Sequence, residues 1–224
     1  MSKAKRTHWL VPPPPEDLSA RLPREFFQRP TLEVAPTLLG NYLVHADGDR
    51  IMGGRIVELE AYCGPDDLGA HTSGGRRTAR NEAMYGPKGH AYIYLIYGMY
   101  WCVNAVAGPE GEPQACLIRA LEPVLGIEHM LENLQPKEGA DVKLTTLCRG
   151  PGKLCKALDL DKRHYGMDLL KDEFFIVPGS LRRGERIGQS PRIGIDYAGE
   201  YKDVPWRFYV KDNPCVSGPA KWRR

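Results

Sequence analysis

The sequence predicts an α+β fold: a single domain with a mostly antiparallel, curved β-sheet, surrounding short helices and a protruding β-hairpin. Three observations carry this. Short runs rich in β-branched and aromatic residues, such as IVELEAY, AYIYLI and RFYV, recur between breaks rich in Gly and Asp. Helical patterns are few and short. Strands and helices do not alternate regularly, so a parallel βαβ sheet is not expected. With 224 residues and 42% hydrophobic composition, the chain can bury a proper core.

The elements follow in order. Residues 1–22 are polar and include the run Pro12-Pro13-Pro14-Pro15. Proline removes backbone donors and favours an extended chain, so this segment is expected to be a flexible tail before one domain over 23–224. LEVAPTLLG reads as a short helix closed by Gly40. NYLVHADGDRIMGGRIVELEAY reads as two strands around Asp47-Gly48-Asp49. A loop rich in Gly and Arg, CGPDDLGAHTSGGRRTARN, comes next. Two β-like runs, 91–96 and 100–106, then flank a reversal at Tyr97-Gly98, which sets an exposed aromatic on a hairpin tip. ACLIRALEP reads as a further strand. EPVLGIEHMLENLQ reads as a helix with Leu125, Met130, Leu131 and Leu134 on its apolar side. GPGKLCKALDL starts another helix after Gly150-Pro151, and FFIVP, RIGID and WRFYV read as short strands.

The net charge of +3 is too mild to argue for nucleic acid by itself, but the charge is clustered. Residues 71–90 carry Arg76, Arg77, Arg80 and Lys88 against Glu82 alone. Residues 143–163 carry Lys143, Arg149, Lys153, Lys156, Lys162 and Arg163 against Asp159 and Asp161. Two basic patches on a near-neutral chain suit a protein that docks on a polyanion with one face. The six cysteines show neither a C-x-x-C pair nor a zinc spacing, which points to a reducing, intracellular setting. The uncharged run from Ala91 to Gly108 has the length of a short membrane span, but its Asn104, its tyrosines and its β-like pattern argue against one. The histidines form no metal pattern, and neither a metal nor a cofactor is expected.

Strand alternation in GRIVELEAY puts Ile56, Glu58, Glu60 and Tyr62 on one face and Arg55, Val57, Leu59 and Ala61 on the other. Two carboxylates and a phenol thus point the same way. Like charges at close range, or burial, could raise one of the two carboxyl pKa values into the range useful for proton transfer. Tyr92 and Tyr94 share a strand face, and Tyr97 has the shape of a wedge for stacked bases. Gly150-Pro151-Gly152-Lys153 resembles part of a phosphate loop without its full spacing; as a helix start beside a lysine it could hold one phosphate. These features also fit a non-catalytic nucleic-acid-binding protein using basic loops and stacking tyrosines, or a nucleoside hydrolase acting on small molecules.

Taken in order, GGRIVELEAYCGPDDLGAH, GGRRTARN, YIYLIYGMYWCVN, LIRALEP, GPGKLCKAL and RFYV resemble the alkyladenine (3-methyladenine) DNA glycosylases, over about Glu25 to Ser217. The resemblance implies a monofunctional N-glycosyl hydrolase of base-excision repair, working as a monomer on duplex DNA that holds damaged purines. Glu60 would activate the attacking water, which Arg119 and the carbonyl of Ile193 would help to hold. Tyr62, His71 and Tyr94 would sandwich the flipped base, and Asn104 would crowd the exocyclic amino group of normal guanine. Tyr97 would enter the duplex where the base has left. Arg76, Arg77, Arg80, Met99, Tyr100 and Lys153 would meet the DNA backbone. Tyr92 and Trp101 are left as packing, and Glu58 as structural.

Overall fold

The computed structural model describes residues 13–136, 142–171 and 173–219. Residues 1–12 of the expected tail lie outside these. Within the rest of that segment, Leu22 is buried and the Arg21 guanidinium lies 3.6 Å from the centroid of the Phe175 ring.

Eight antiparallel strands form one sheet: β1 (Tyr42–Asp47), β2 (Arg50–Tyr62), β3 (Ala91–Ile96), β4 (Tyr100–Ala107), β5 (Gln114–Leu125), β6 (Phe174–Val177), β7 (Ile187–Ser190) and β8 (Arg207–Val210). The main path runs β3-β4-β5-β2-β1-β6, with β8 joining β2 and β7 joining β8. Helices α1 (Arg24–Phe27), α2 (Thr31–Leu38), α3 (Ile127–Leu134) and α4 (Pro151–Ala157) surround it. The α+β expectation therefore holds. The helix over LEVAPTLLG ends as expected, with Gly40 at φ +93° after the cap residue Leu39.

The long strand β2 positions the site. Its first half pairs with β1, Glu58 to Glu60 pair with β8, and β5 runs along its other edge. The strand is therefore buried along nearly its whole length. Strict alternation fails in the middle of it. The register with β5 slips between Ile56 and Glu58 and slips back between Glu58 and Leu59. The first slip leaves Val57 as an extra residue and the second leaves Arg119 as one on β5. Hence Ile56 joins the main core with Val57, Leu59 and Ala61, and does not share a face with Glu58, Glu60 and Tyr62 as expected.

Two segments differ from expectation. Glu122 to Leu125 extend β5, because Pro123 and Leu125 pair with Gly54 and Gly53. Helix α3 starts only after Gly126, whose φ is +60°. RIGID is a loop, and the strand lies upstream at Ile187–Ser190. The alternating Ile193 and Ile195 imitate a strand, but the Ile193 N–H is taken by a carboxylate and the backbone turns at Gly194, φ +80°.

The hairpin β3–β4 forms as predicted. Tyr97 (φ +51°) and Gly98 (φ +68°) make the turn, closed by a hydrogen bond from the Met99 N–H to the Ile96 carbonyl. A tyrosine in the left-handed region costs on the order of 1–2 kcal/mol. Here it leaves a ring 80% exposed at the tip. The base of the hairpin rests on α4: Tyr100 packs on Gly152, where a Cβ would stand 2.9 Å from the tyrosine Cβ. Among the described residues, no helix is long and apolar enough to cross a membrane.

Candidate active site

Five stretches of chain, among others, converge on one cavity of about 450 Å³. The end of β2 brings Glu60 and Tyr62, the following loop brings His71, the hairpin brings Tyr92, Tyr94 and Asn104, and the loop after β7 brings Ile193. Arg119 enters from β5, at the bulge. All of these except Glu60 line the cavity directly, and Glu60 is fully buried immediately behind the lining.

Three donors fix the Glu60 carboxylate. The Ile193 N–H donates to Oε1 at 2.7 Å, the Tyr62 hydroxyl donates to Oε2 at 3.0 Å, and Arg119 Nη1 lies 3.2 Å from Oε2. A carboxylate has about four acceptor positions, so room for one further donor remains. The resemblance implied the Ile193 carbonyl as a water ligand; the contact observed is the neighbouring N–H on Glu60.

Glu58 is also fully buried, on the same side of β2. It accepts from Arg119 Nε at 3.1 Å, Arg207 Nε at 2.7 Å, the Ser217 N–H at 2.6 Å and the Ser217 hydroxyl at 2.8 Å. Burial alone would push its carboxyl up, but Arg119 and Arg207 with the Ser217 N–H outweigh that and hold it below the usual range. The adjacent acids thus do not raise Glu58, because each is matched by an arginine. Arg119 links the two carboxylates. Burial disfavours its charge, and Glu60 and Glu58 more than restore it.

The walls are aromatic. Burial pushes the Tyr62 and Tyr94 phenols well up, so both stay protonated. Tyr94 lies 4.6 Å from His71 between ring centroids, and 5.2 Å from Tyr92. Tyr92 is more than packing: its hydroxyl meets His71 Nδ1 at 2.7 Å, and its carbonyl accepts from the Asn104 side chain at 2.9 Å. It therefore orients two of the predicted pocket residues. The strand period already put Tyr92 beside Tyr94, so this signal was present in the sequence. No comparable signal marked Arg207 or Ser217.

His71 is pushed down to about 4, first by burial and then by Arg80 and Arg76. Burial and the neighbouring His45 also lower His164, whose Nε2 meets His45 Nε2 at 3.1 Å. The native protein thus resists protonation at two histidines that the unfolded chain protonates near pH 6.5. These groups stabilise the fold fully above pH 6.5, and that contribution is lost as the pH falls towards about 4. The urea midpoint should accordingly drop between pH 7.5 and pH 5. The drop should be smaller in a His71→Gln, His164→Gln double variant; an equal drop in both proteins would refute the assignment.

The cavity opens beside the hairpin tip, where Tyr97 lines its rim. Met99 is 66% and Tyr100 47% exposed next to it. Lys153 is exposed in the first turn of α4, and Arg76 is exposed near His71. Arg80 donates to the Leu95 carbonyl at 3.0 Å and lies over the Tyr94 ring. Arg77 is engaged twice, by Glu82 at 2.5 Å and by the Tyr85 ring at 4.7 Å. Among the described residues, no group of three or more His, Cys, Asp and Glu side chains is placed to hold a metal.

The cavity is thus an aromatic slot with one rigidly held carboxylate behind it, on an antiparallel sheet. Comparison with known proteins gives the family. Residues 25–214 match the family model described as methylpurine-DNA glycosylase (MPG). A protein of Clostridium acetobutylicum named "Putative 3-methyladenine DNA glycosylase" is 50% identical over 200 residues, covering 88% of this chain and 97% of the relative. One of the same name from Bacillus cytotoxicus is 48% identical over 202 residues, covering 88% of this chain and 99% of its own. The chain belongs to the methylpurine-DNA glycosylase family, and is thus a DNA glycosylase, a hydrolase of DNA repair.

Proposed function

We propose that this DNA glycosylase flips alkylated purines, such as 3-methyladenine and 7-methylguanine, out of duplex DNA and hydrolyses their N-glycosidic bond with an activated water. Hypoxanthine and ethenoadenine are weaker candidates. The observation that carries the reading is the Glu60 carboxylate, held by Ile193, Tyr62 and Arg119 immediately behind an aromatic cavity. A protein that only grips nucleic acid has no use for a buried carboxylate there.

Extruding a base costs roughly a few kcal/mol. Tyr97, already exposed on a strained turn, enters the gap and offsets lost stacking. The base then lies between the rings of Tyr62, Tyr94 and His71. An alkylated purine that is cationic gains about 0.5–2 kcal/mol from these π faces. A neutral His71 adds no repulsion of its own. The Asn104 amide, anchored on the Tyr92 carbonyl, excludes the exocyclic amino group of normal guanine.

Water takes the remaining position on Glu60. Its oxygen attacks C1′ of the sugar as its proton passes to the carboxylate, and the C1′–N bond breaks with its electron pair moving onto the purine. A cationic purine leaves as a neutral base, so no general acid is needed. Neutral purines need a proton on the leaving base, which makes them poorer substrates. None of the described residues lining the cavity is lysine, consistent with water rather than an amine as nucleophile and an unbroken strand at the abasic product.

The test measures free base released from methylated duplex DNA, and binding to a lesion duplex and to the same lesion in a single strand. Wild-type protein should release base without strand cleavage. Tyr97→Ala should weaken lesion-duplex binding roughly tenfold, the scale of one lost base–aromatic stack, and single-strand binding less. No release by wild-type protein would overturn the reading, and equal losses on both substrates would remove the wedge from it.

A further inference from the structure

The pocket is assembled from segments far apart in sequence, and one buried ion pair ties three of them together. Arg192 and Asp67 form a two-pronged bridge, Nη1 to Oδ2 at 2.6 Å and Nη2 to Oδ1 at 2.7 Å, with both side chains fully buried. Neither residue lines the cavity. We propose that Arg192, clamped by Asp67, is the positioning residue that sets Glu60 and Tyr62 for the reaction. The inference rests on the proposed reading of Glu60.

Besides the Trp206 ring, whose centroid lies 5.1 Å from the guanidinium carbon, the contacts of the pair fall on elements of the site. Arg192 Nη1 also donates at 2.9 Å to the carbonyl of Ala61, the residue between Glu60 and Tyr62. Its guanidinium carbon stands 4.7 Å from the Tyr62 ring centroid. Because Tyr62 lines the cavity and Arg192 does not, the cation braces the ring from behind. The next residue, Ile193, donates its N–H to Glu60. Asp67 in turn accepts from the Cys63 N–H at 3.1 Å and the Gly69 N–H at 2.9 Å, which fixes the loop leading to His71. Gly69 has no side chain because the guanidinium takes its place: a Cβ there would stand 2.9 Å from Nη2.

Stability alone does not account for this pair. A buried ion pair is often no more stabilising than a neutral replacement of similar volume. Only a planar fork can hold a carboxylate at two points while reaching a backbone carbonyl and lying on a ring. A displacement of 1 Å at a reacting group can cost about a hundredfold in rate. The arrangement fits a device for geometry.

The experiment compares wild type, Arg192→Lys and the charge-free double variant Asp67→Asn, Arg192→Gln. Single-turnover base release from methylated duplex is followed over a range of enzyme in excess, giving a rate at saturation and a half-saturating concentration; melting temperature is measured alongside. A partly unfolded population shifts half-saturation, because it lowers the active concentration, and leaves the saturated rate alone. Positioning predicts the reverse in both variants: the saturated rate falls about tenfold or more, and half-saturation moves less than about threefold. Wild-type rates in the variants would overturn the proposal. So would a double variant that regains melting temperature and rate together, or a finding that neither variant folds. Failure of wild type to release base would instead overturn the proposed function.

Discussion

Glu60→Gln is expected to lower the single-turnover rate of base release by roughly 10²–10⁴-fold, the usual contribution of a positioned general base. The substitution keeps the size of the side chain and removes its charge. It also replaces one acceptor oxygen by an NH₂ group, which would face either the Ile193 N–H or Arg119. Arg119 keeps Glu58 as a partner, so no buried cation is left alone. Lesion-duplex binding should therefore change much less than the rate, since Tyr97, Tyr94 and His71 are untouched. A variant that binds normally and does not release base supports Glu60 as the base. A variant that releases base at the wild-type rate removes it from that role.

Glu122→Ala is expected to destabilise the fold by about 3–5 kcal/mol, the cost of breaking a buried pair from one side. Glu122 is almost fully buried, and it accepts from Arg55 at 2.7 Å, Arg182 at 2.7 Å and Asn213 at 3.0 Å. Arg55 and Glu122 sit opposite one another on β2 and β5, the strands that carry Glu60 and Arg119. Removing the carboxylate leaves Arg55, only 1% exposed, with Glu185 alone. For a domain of this size the loss corresponds to a fall in melting temperature of roughly 6–20 °C. The comparison is Glu132→Ala, which breaks the exposed Arg50–Glu132 pair and should cost about 0–1 kcal/mol. Equal effects of the two substitutions would contradict the burial argument.

Much of the molecule was legible in its residues. The reversal at Tyr97-Gly98, the two strands around Asp47-Gly48-Asp49 and the close of α2 at Gly40 each follow from local backbone chemistry. The helix boundary at Gly126 and the loop at RIGID did not. In both places an apolar pattern compatible with one element was overridden by a partner distant in the chain: β2 for Pro123 and Leu125, and Glu60 for the Ile193 N–H. Glu60 and Tyr62 were found on one face because alternation holds locally. Ile56 was misplaced because a bulge at Val57 is set by pairing with β5.

By itself the sequence determined the cast: a carboxylate and tyrosine two residues apart, an aromatic hairpin with a tyrosine at its tip, and basic loops beside them. These are short-range facts, set by strand period and turn chemistry. The tertiary structure alone decided that Ile193, 133 positions from Glu60, donates to it, that Arg119 bridges two acids, and that Ser217 closes on Glu58. Such contacts depend on where β2, β5 and β8 lie beside one another. That follows from burying all their faces at once, not from a pattern within any one of them.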